Sequence, residues 1–481
     1  KGDYWVFNLK NKELKKLGNT LPESSLMFAK FSPDGKNIAY VSKENSETNT
    51  IRNSSTNANI YIENLTKNTI KKITRSNNTK KLINGTFDWA YEEEFDCRDG
   101  FLFNENGTKI AFWQIDANQV RDFLMINNTD SIYSFNIPVE YPKVGEFPSP
   151  AKIGVIDLAN ENKITWMKIP GAANNNYLPR MMWGPSSNEL YIQQLNRKQN
   201  HSKIFIADAL TGSVKLLREE KDDAWVDIRN SWPNNNQAGW KFINGGNSFL
   251  YITEKDGWSH IYNYNIKTKK EYLVTNGEYD VIQPLGIDEK NGVIYFIASP
   301  ENATQRYLYK TEINGNGKLE KITPEILKGS NSYQISPNGN YAFHRFSNYY
   351  TKPMNQLINL PNHESIDNEK SISERFDPKL KSNSSLSFFQ ITTIDDVTMD
   401  GWIVKPNNMN PKKKYPILFY FYSEPAGTTV VDRYGVGKNR LYDGDMQEDG
   451  YVYVSFDGRG TPSPKGRSWR KSIYRGIGKI N

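Results

Sequence analysis

Cysteine and histidine are scarce in this sequence of 481 residues, which contains one cysteine, Cys97, and four histidines. A single cysteine excludes an internal disulfide and any CxxC metal or redox motif, and we expect neither a metal nor a cofactor. Long apolar runs are also missing, because no stretch approaches the roughly 18 residues that a membrane-spanning helix requires. The longest apolar run, PILFYFY at 416–422, has the length of a buried strand.

Basic residues exceed acidic ones and give a net charge of +7, but no stripe of lysine or arginine stands out. We therefore expect no nucleic-acid partner. Hydrophobic residues at 37% and aromatic residues at 13% are typical of a folded protein, and the 28 tyrosines favour β-structure. The length exceeds that of one ordinary domain, so two or three domains are expected.

A turn followed by an apolar strand recurs along the chain, with Gly, Asn or Asp in each turn and alternating apolar residues after it. The copies are SPDGKNIAYVS (32–42), NENGTKIAFWQ (104–114), GPSSNELYIQQ (184–194), NGGNSFLYIT (244–253), EKNGVIYFIAS (289–299) and SPNGNYAFHRF (336–346). A second hairpin pattern follows at a near-constant offset, as in IYIENLTKNTIKKIT (60–74) and KIFIADALTGSVKLL (203–217).

Two such hairpins make a four-stranded unit, and a unit that repeats every 45–60 residues or so is typical of a β-propeller blade. We predict a mainly β fold in which residues 1–360 form a partial propeller, with about six of roughly eight blades visible. The first copy has only its second hairpin, at 4–17, so we expect the chain to begin inside a blade. An insertion at about 87–150 interrupts the repeat.

The hairpin repeat ends near residue 360. Residues 361–385 are polar and charged without strand or helix periodicity, which indicates a linker. Residues 386–481 contain a hairpin pattern and then two apolar segments, 416–422 and 449–460, that have the composition of buried strands. Buried strands about 30 residues apart favour an α/β layer, of which this region would be the N-terminal part.

Three consecutive acids, Glu92, Glu93 and Glu94, lie between aromatic residues in FDWAYEEEF (87–95). One interpretation is the first turn of a helix, where Asp88 caps the N-terminus and acidic residues favour the helix dipole. The other interpretation is a binding site for a cation. Adjacent side chains of a strand point to opposite faces, so two of these acids can converge only if the stretch is a turn or a short helix.

A propeller with DWxYEEE that precedes an α/β domain resembles the dipeptidyl peptidase IV branch of the prolyl oligopeptidase family of serine peptidases, most of all its bacterial members. The resemblance extends over most of the chain in the expected order. It is carried by FDWAYEEEF (87–95), KIAFWQIDANQVRDFLMINNTDSIY (109–133), VEYPKVGE (139–146), LYITEKDGWSHIY (250–262), LFYFYSEPAG (418–427) and VSFDGRGTPSPKGRSWRK (454–471).

The resemblance implies that Glu93 and Glu94 grip the free α-amino group of a peptide substrate, while Glu92 serves structure or solvation. Two carboxylates suit an ammonium, which offers three donors and one positive charge. The resemblance also implies that Tyr422, at the end of the apolar strand, donates its hydroxyl to the oxyanion of the tetrahedral intermediate. The alternative for Tyr422 is a tyrosine at a strand end with its hydroxyl in water.

Two features depart from the family pattern. No G-x-S-x-G is present, and all four histidines precede the α/β segment, whereas the triad of this fold runs Ser, acid, His after the strand that carries Tyr422. We therefore read His201, His260, His344 and His363 as blade or linker residues. The Ser-Asp-His triad is expected beyond Asn481, in which case these residues are a fragment lacking both ends and are inactive alone.

For the whole protein the resemblance implies a serine exopeptidase that releases N-terminal dipeptides, with Xaa-Pro or Xaa-Ala preferred. Its partners would be peptides with a free N-terminus, it would form a homodimer, and it would be periplasmic or secreted. The alternative is a non-catalytic β-propeller that binds partners and carries a degenerate hydrolase domain. A sister branch without the acid pair is a less favoured alternative, because Glu93 and Glu94 argue against it.

Overall fold

The computed structural model describes residues 1–43, 57–76, 81–228, 232, 239–367, 370–425 and 427–480. The fold is mainly β, with antiparallel sheets of the blade type followed by the start of an α/β sheet. The chain divides into two compact units, Lys1–Arg229 and Asn230–Asn481. This division lies inside the stretch predicted as one propeller. Among the described residues, no helix is long and apolar enough to cross a membrane.

The first unit contains a two-stranded sheet, three blade sheets of four or more strands, and a separate hairpin. Its elements are β1 (Trp5–Phe7), β2 (Leu14–Lys16), β3 (Met27–Phe31), β4 (Asn37–Lys43), β5 (Ala58–Asn64), β6 (Thr69–Lys72), β7 (Leu82–Asn84), α1 (Trp89–Phe95), β8 (Phe101–Phe103), β9 (Lys109–Asp116), β10 (Asp122–Asn127), β11 (Phe135–Glu140), β12 (Ala151–Asp157), β13 (Asn160–Trp166), a 3₁₀ turn at Ala173–Asn175, β14 (Asn176–Trp183), β15 (Glu189–Asn196), β16 (His201–Asp208) and β17 (Val214–Lys221).

The predicted hairpin repeat accounts for these sheets. Strands β3 to β6 pair in sequence order, as do β14 to β17, and each of these sheets is antiparallel. Buried side chains from successive blades form one apolar cluster within this unit, in which Ile60, Phe112 and Ile192 are fully enclosed. The inner strands β4, β5 and β15 are buried on both faces along nearly their whole length, which explains their high apolar content.

Hairpin β10–β11 projects from the third blade as a two-stranded arm, with Asp122 opposite Glu140 and Asn127 opposite Phe135. Its apolar side chains are unusually exposed, since Leu124 is 55% and Ile126 is 67% accessible. The predicted insertion at about 87–150 therefore contains this arm and α1, together with β8 and β9, which are blade strands.

The second unit contains two four-stranded blades, a three-stranded blade and a mixed sheet. Its elements are β18 (Trp240–Ile243), a 3₁₀ turn at Asn244–Gly246, β19 (Ser248–Thr253), β20 (His260–Asn265), β21 (Glu271–Leu273), β22 (Val281–Asp288), β23 (Val293–Ala298), β24 (Tyr307–Glu312), β25 (Glu320–Lys321), β26 (Ser330–Ile335), β27 (Tyr341–Asn348), β28 (Thr351–Asn359), α2 (Ile372–Arg375), a 3₁₀ helix at Pro378–Asn383, β29 (Leu386–Thr392), β30 (Thr398–Val404), β31 (Ile417–Tyr420), β32 (Val452–Phe456) and α3 (Gly466–Lys471).

The last sheet has the order β29-β30-β32-β31, and β31 pairs with β32 in parallel, as the α/β reading predicts. Strand β32 is buried, in agreement with the sequence. The prediction that 416–422 is a buried strand is wrong for these residues, because every residue of β31 is exposed. Strand β31 lies at the edge of the sheet, so an apolar composition alone did not determine its burial.

The predicted linker, 361–385, contains more structure than its composition suggested; residues 368 and 369 lie outside the described residues. Helix α2 has a capping box in which Ser371 and Glu374 each bond the other's backbone N–H. The spacing S-x-x-E is a helix-start signal that a search for periodicity alone overlooks. The helix buries Ile372, and Phe376 after it, against Phe346 of the last blade. This segment is therefore packed onto the blade through apolar contacts.

Candidate functional site

The acidic segment interrupts a single blade strand. Strands β7 and β8 both pair with β9, in consecutive register, so they are two halves of one strand separated by the excursion that contains α1. The excursion closes at two glycines, since Gly100 N–H donates to the carbonyl of Gly85 at 3.0 Å. Gly85 has φ +79°, and a Cβ there would approach Ile60 to 2.5 Å. The neck of the excursion therefore requires glycine.

Helix α1 begins at a buried N-cap. The Asp88 carboxylate accepts from Tyr91 N–H at 3.1 Å and from Ser149 Oγ at 2.5 Å. Burial raises the pKa of Asp88, and these two donors oppose the rise. The helix ends at Asp96, whose φ of 52° is left-handed, and Cys97 N–H donates to the carbonyl of Tyr91. The helix interpretation of FDWAYEEEF, including the Asp88 cap, is confirmed.

One face of α1 is built into the core. Tyr91 and Phe95 are buried and pack against each other, and both contact the ring of Tyr177. The Tyr91 hydroxyl accepts from Leu178 N–H at 3.1 Å, which ties the helix to the first strand of the next blade. Burial raises the pKa of Tyr91, so this hydroxyl stays neutral. A seven-residue helix has little intrinsic stability, and these contacts hold it in place.

The three acids of α1 differ in their surroundings. Glu92 is half-buried, with its side chain 33% exposed and Arg98 Nη1 3.9 Å from its Oε2. Burial raises the pKa of Glu92. Glu93 and Glu94 are exposed, and neither has a hydrogen-bond or ion-pair partner among the residues that the structure describes. Two neighbouring carboxylates thus face solvent on a rigidly held helix turn.

This arrangement suits a compact cation with several donors. Two carboxylates without partners retain their full hydrogen-bonding capacity, and their mutual repulsion is relieved when a cation binds. Because the buried face fixes the helix, little side-chain and backbone ordering is needed on binding. The described residues contain no cluster of His, Cys, Asp or Glu side chains suited to a metal ion.

Tyr422 lies in the second unit, two residues after β31, and is 48% exposed. A Cβ on Gly427 would approach its ring carbon Cδ1 to 3.2 Å, so the chain after the strand folds back against the ring. The structure thus places Tyr422 at the carboxyl end of a parallel strand, where α/β proteins locate their active sites.

The histidines and the cysteine lie outside any such site. His201, His260 and His344 belong to blade strands, and His363 follows the last blade strand, as predicted. The Cys97 thiol is buried and accepts from Arg180 Nη1 at 3.3 Å. Burial raises the pKa of this thiol to about 11, which makes it a poor nucleophile at neutral pH.

Comparison with known families shows which family the chain belongs to. Residues 1–353 match the model of the dipeptidyl peptidase IV (DPP IV) N-terminal region. The chain belongs to the dipeptidyl peptidase IV family. A crystal structure of Porphyromonas gingivalis dipeptidyl peptidase 4 is 25% identical and has a TM-score of 0.82, covering 99% of this chain and 63% of that one. Structures of this kind combine a β-propeller with a hydrolase domain, which confirms the predicted fold class.

Two fungal relatives are described as "Probable dipeptidyl-aminopeptidase B". The protein of Arthroderma otae is 24% identical over 99% of this chain and 52% of its own length. That of Aspergillus terreus is 24% identical over 96% of this chain and 50% of its own length. The chain thus spans about half the length of the curated relatives that it matches.

Sequence reasoning missed residues that hold helix α1 and the segment after Tyr422 in place. Ser149 contacts Asp88 from 61 residues away, and no local pattern identifies it. Asp457, which contacts the segment after Tyr422, did have a signal, because it follows the buried strand β32 directly. Polar residues at the carboxyl ends of parallel strands commonly line or support a site.

Proposed function

We propose that the polypeptide of which this chain is part is a serine exopeptidase that releases dipeptides from the amino end of peptides. Glu93 and Glu94 would bind the free α-amino group of the substrate. Peptides with proline or alanine as their second residue would be preferred. The proposal concerns the whole polypeptide, since the chain spans about half of its relatives. The family and the two exposed acids of α1 support it.

The observation that carries the proposal is the contrast within helix α1. Its N-cap and aromatic face are buried and hydrogen-bonded, whereas Glu93 and Glu94 are presented to solvent. A fixed cation site works as a ruler, because an amine held at a constant distance from a nucleophile admits only one scissile bond. This explains release of a unit of fixed length.

Tyr422 is proposed to donate to the oxyanion of the tetrahedral intermediate. Its place after a parallel strand and its exposed ring are suited to that role. A preorganised hydroxyl at the developing negative charge contributes more in the transition state than in the ground state.

The decisive experiment compares substrates that differ only at the amine. The full-length polypeptide is assayed with a Gly-Pro arylamide and with its N-acetylated form, and only the free amine should be cleaved. Equal cleavage of both would contradict the amine-binding role of the acids. Absence of cleavage of either, with no nucleophile labelled by a serine-directed phosphonate, would favour the alternative of a binding propeller with a degenerate hydrolase domain.

The arm β10–β11 supports a homodimer of the whole polypeptide. Exposed apolar side chains on β10 and in the loop that follows it form a patch that water solvates poorly. They include Phe123, Leu124, Met125, Ile126, Ile132 and Tyr133. Sedimentation of the full-length polypeptide with and without a Leu124→Glu change tests this. Periplasmic or extracellular location is proposed from the family alone, and cell fractionation tests it.

A further inference from the structure

The segment after Tyr422 is held by one buried carboxylate, that of Asp457. Asp457 follows β32 and is 3% exposed. Its Oδ1 accepts from Thr429 N–H at 2.8 Å and from Thr429 Oγ1 at 2.9 Å, and its Oδ2 accepts from Val430 N–H at 3.1 Å. Three bonds from two consecutive residues fix the position and direction of this backbone.

Further hydrogen bonds hold Thr429 in the same position, and we call this set of contacts around Asp457 and Thr429 the clamp. Its hydroxyl also lies 2.7 Å from Ser455 Oγ, and its carbonyl accepts from Trp402 Nε1 at 3.0 Å. Ser455 and Trp402 belong to β32 and β30, and both are buried. The backbone at Thr429 is therefore bonded through its N–H, carbonyl and side chain to the rigid sheet.

The clamp reaches Tyr422 through Gly427. The ring of Tyr422 lies against Gly427, two residues before Thr429, with no room for a larger side chain without displacement. Gly458, next to Asp457, is close to the residue after Tyr422, since a Cβ on it would lie 3.9 Å from Ser423 Oγ. The residues on either side of the Tyr422 ring are thus positioned by contacts with the chain at the end of β32.

Burial raises the pKa of Asp457, and the Thr429 and Val430 bonds oppose that rise. A buried carboxylate is costly, and an amide of the same shape would leave one N–H facing the N–H of Val430. An uncharged side chain would serve packing alone equally well. The use of a carboxylate here is explained by the donors around it, which are the N–H and hydroxyl of Thr429, the N–H of Val430 and, at 3.5 Å, the hydroxyl of Ser463.

We propose that Asp457 is a positioning residue that orients Tyr422 for oxyanion stabilisation, an inference that rests on the proposed function. Asp457 touches no reacting atom, and it acts by setting the course of the backbone from Gly427 to Val430. A displacement of this backbone would move the Tyr422 hydroxyl away from the oxyanion while the substrate amine site stays intact. The expected signature is a loss of kcat with little change in KM.

The test is a double-mutant cycle in the full-length polypeptide, with each rate normalised to the fraction of protein labelled by a serine-directed phosphonate. Asp457→Asn should lower kcat by roughly tenfold or more, the scale of a displaced catalytic group. In a Tyr422→Phe background the same change should lower kcat by less than about twofold, because the hydroxyl that it positions is gone. A purely structural role would lower kcat equally in both backgrounds, and that result would overturn the proposal.

Thr429→Val provides a second variant in case Asp457→Asn does not fold. It removes the hydroxyl donor of Thr429 and should also lower kcat, by a smaller factor and again only when Tyr422 is present. Thr429→Ser keeps the hydroxyl and is the matched control, with kcat expected to stay near that of the parent. Equal rates for the Val and Ser variants would overturn the proposal.

The outcomes separate this inference from the proposed function. If the full-length polypeptide releases no dipeptides, the proposed function is wrong, and the positioning role of Asp457, which rests on it, is wrong as well. If it releases dipeptides and Tyr422→Phe lowers kcat while Asp457→Asn does not, the function stands and the positioning role of Asp457 is wrong. If Tyr422→Phe leaves kcat unchanged, both the oxyanion role of Tyr422 and the role of Asp457 are wrong.

Discussion

Two pairs of acidic side chains, one in each unit, have opposite surroundings. The open pair, Glu93 and Glu94, is exposed on α1. The closed pair, Glu254 and Asp280, is 6% and 3% exposed and is saturated by basic side chains of α3. The comparison shows that acidic composition alone does not indicate a binding site; what distinguishes the two pairs is whether the protein supplies the cation.

The closed pair is neutralised within the fold. Arg470 Nε donates to Glu254 Oε1 at 2.7 Å, and its Nη2 donates to Asp280 Oδ1 at 3.0 Å. Lys471 Nζ lies 2.8 Å from Glu254 Oε2. The backbone contributes as well, since Gly466 N–H donates to Asp280 Oδ2 at 2.8 Å. Two acids and two bases cancel, and α3 is fastened to the blade of β18–β21.

The largest effect is expected from breaking the closed pair. Arg470→Met should lower the free energy of unfolding by about 3–5 kcal/mol, because it leaves two buried carboxylates with one cation. Urea unfolding of the purified polypeptide, followed by tryptophan fluorescence, measures this. Arg475→Met, at an exposed arginine near the same helix, is the control and should change stability by less than about 0.5 kcal/mol.

A compensated variant sharpens the interpretation. In a triple variant with Arg470→Met, Glu254→Gln and Asp280→Asn, much of the lost stability should return, since neutral side chains no longer require a buried cation. If the triple variant is no more stable than Arg470→Met alone, packing of the arginine and not charge neutralisation maintains the contact.

The open pair should give the reverse result. Glu93→Gln or Glu94→Gln should lower kcat/KM of the full-length polypeptide on dipeptide arylamides by about 1.5–3 kcal/mol, the scale of a charged hydrogen bond. Stability should be unchanged, because neither side chain has a partner among the described residues to lose. Loss of stability without loss of kcat/KM would show that these acids are structural.

Sequence patterns predicted the blade strands well, and the reason is physical. Strands such as β5 and β6 are joined by a short turn, with Asn64 opposite Thr69, so the turn residues and the alternation of side chains determine their register locally. The helix at Trp89–Phe95 could also be predicted from the sequence, because Asp88 and the acids after it form a local helix-start signal.

Contacts between distant residues could not be predicted in this way. Arg470 lies 216 residues from Glu254, and nothing near either residue specifies the other. The exposure of β31 also escaped prediction, since PILFYFY has a buried composition and its burial depends on what packs beside it. The neck glycines, Gly85 and Gly100, are separated by a whole helix, so their contact becomes visible only in the folded chain.

In a third polar cluster, the hydrogen bonds around His344 keep its imidazole neutral, so no opposite charge is needed. Asn331 donates its amide hydrogens to the carbonyls of Arg306 and Leu327, so its Oδ1 accepts from His344 Nε2 at 2.9 Å. Gln356 accepts from Ile372 N–H and therefore donates to His344 Nδ1 at 3.0 Å. One ring nitrogen donates and the other accepts, which fixes a neutral imidazole.

This cluster predicts a loss of stability in acid. Burial holds the pKa of His344 well below 6.5, and burial lowers the pKa of His363 to about 4. Between pH 6.5 and 4 these histidines bind protons in the unfolded chain but not in the native state. Their contribution to the free energy of unfolding is therefore full above pH 6.5 and is lost as the pH falls. The loss from His363 alone should be about 1–2 kcal/mol between pH 7 and pH 5.

Urea unfolding at pH 7 and pH 5 measures this dependence in the parent polypeptide and in His363→Gln. The carboxylates contribute equally to both proteins, so the difference between them isolates the histidine. The variant should lose less stability on acidification than the parent. An identical loss in both proteins would mean that folding does not lower the pKa of His363.

The smallest effect is expected from the third acid of α1, and it tests whether the open pair is a pair. Glu92 is half-buried and has Arg98 nearby, and burial already raises its pKa, so its ionised form is mildly unfavourable there. Glu92→Gln should therefore leave stability unchanged or slightly higher, within about 0.5 kcal/mol, and should leave kcat/KM within about threefold. The same protein preparations and arylamide substrates used for Glu93→Gln provide the measurement. A loss of kcat/KM equal to that of Glu93→Gln would mean that three carboxylates form the site. The substrate amine would then bind closer to the N-terminus of α1 than the two exposed acids indicate.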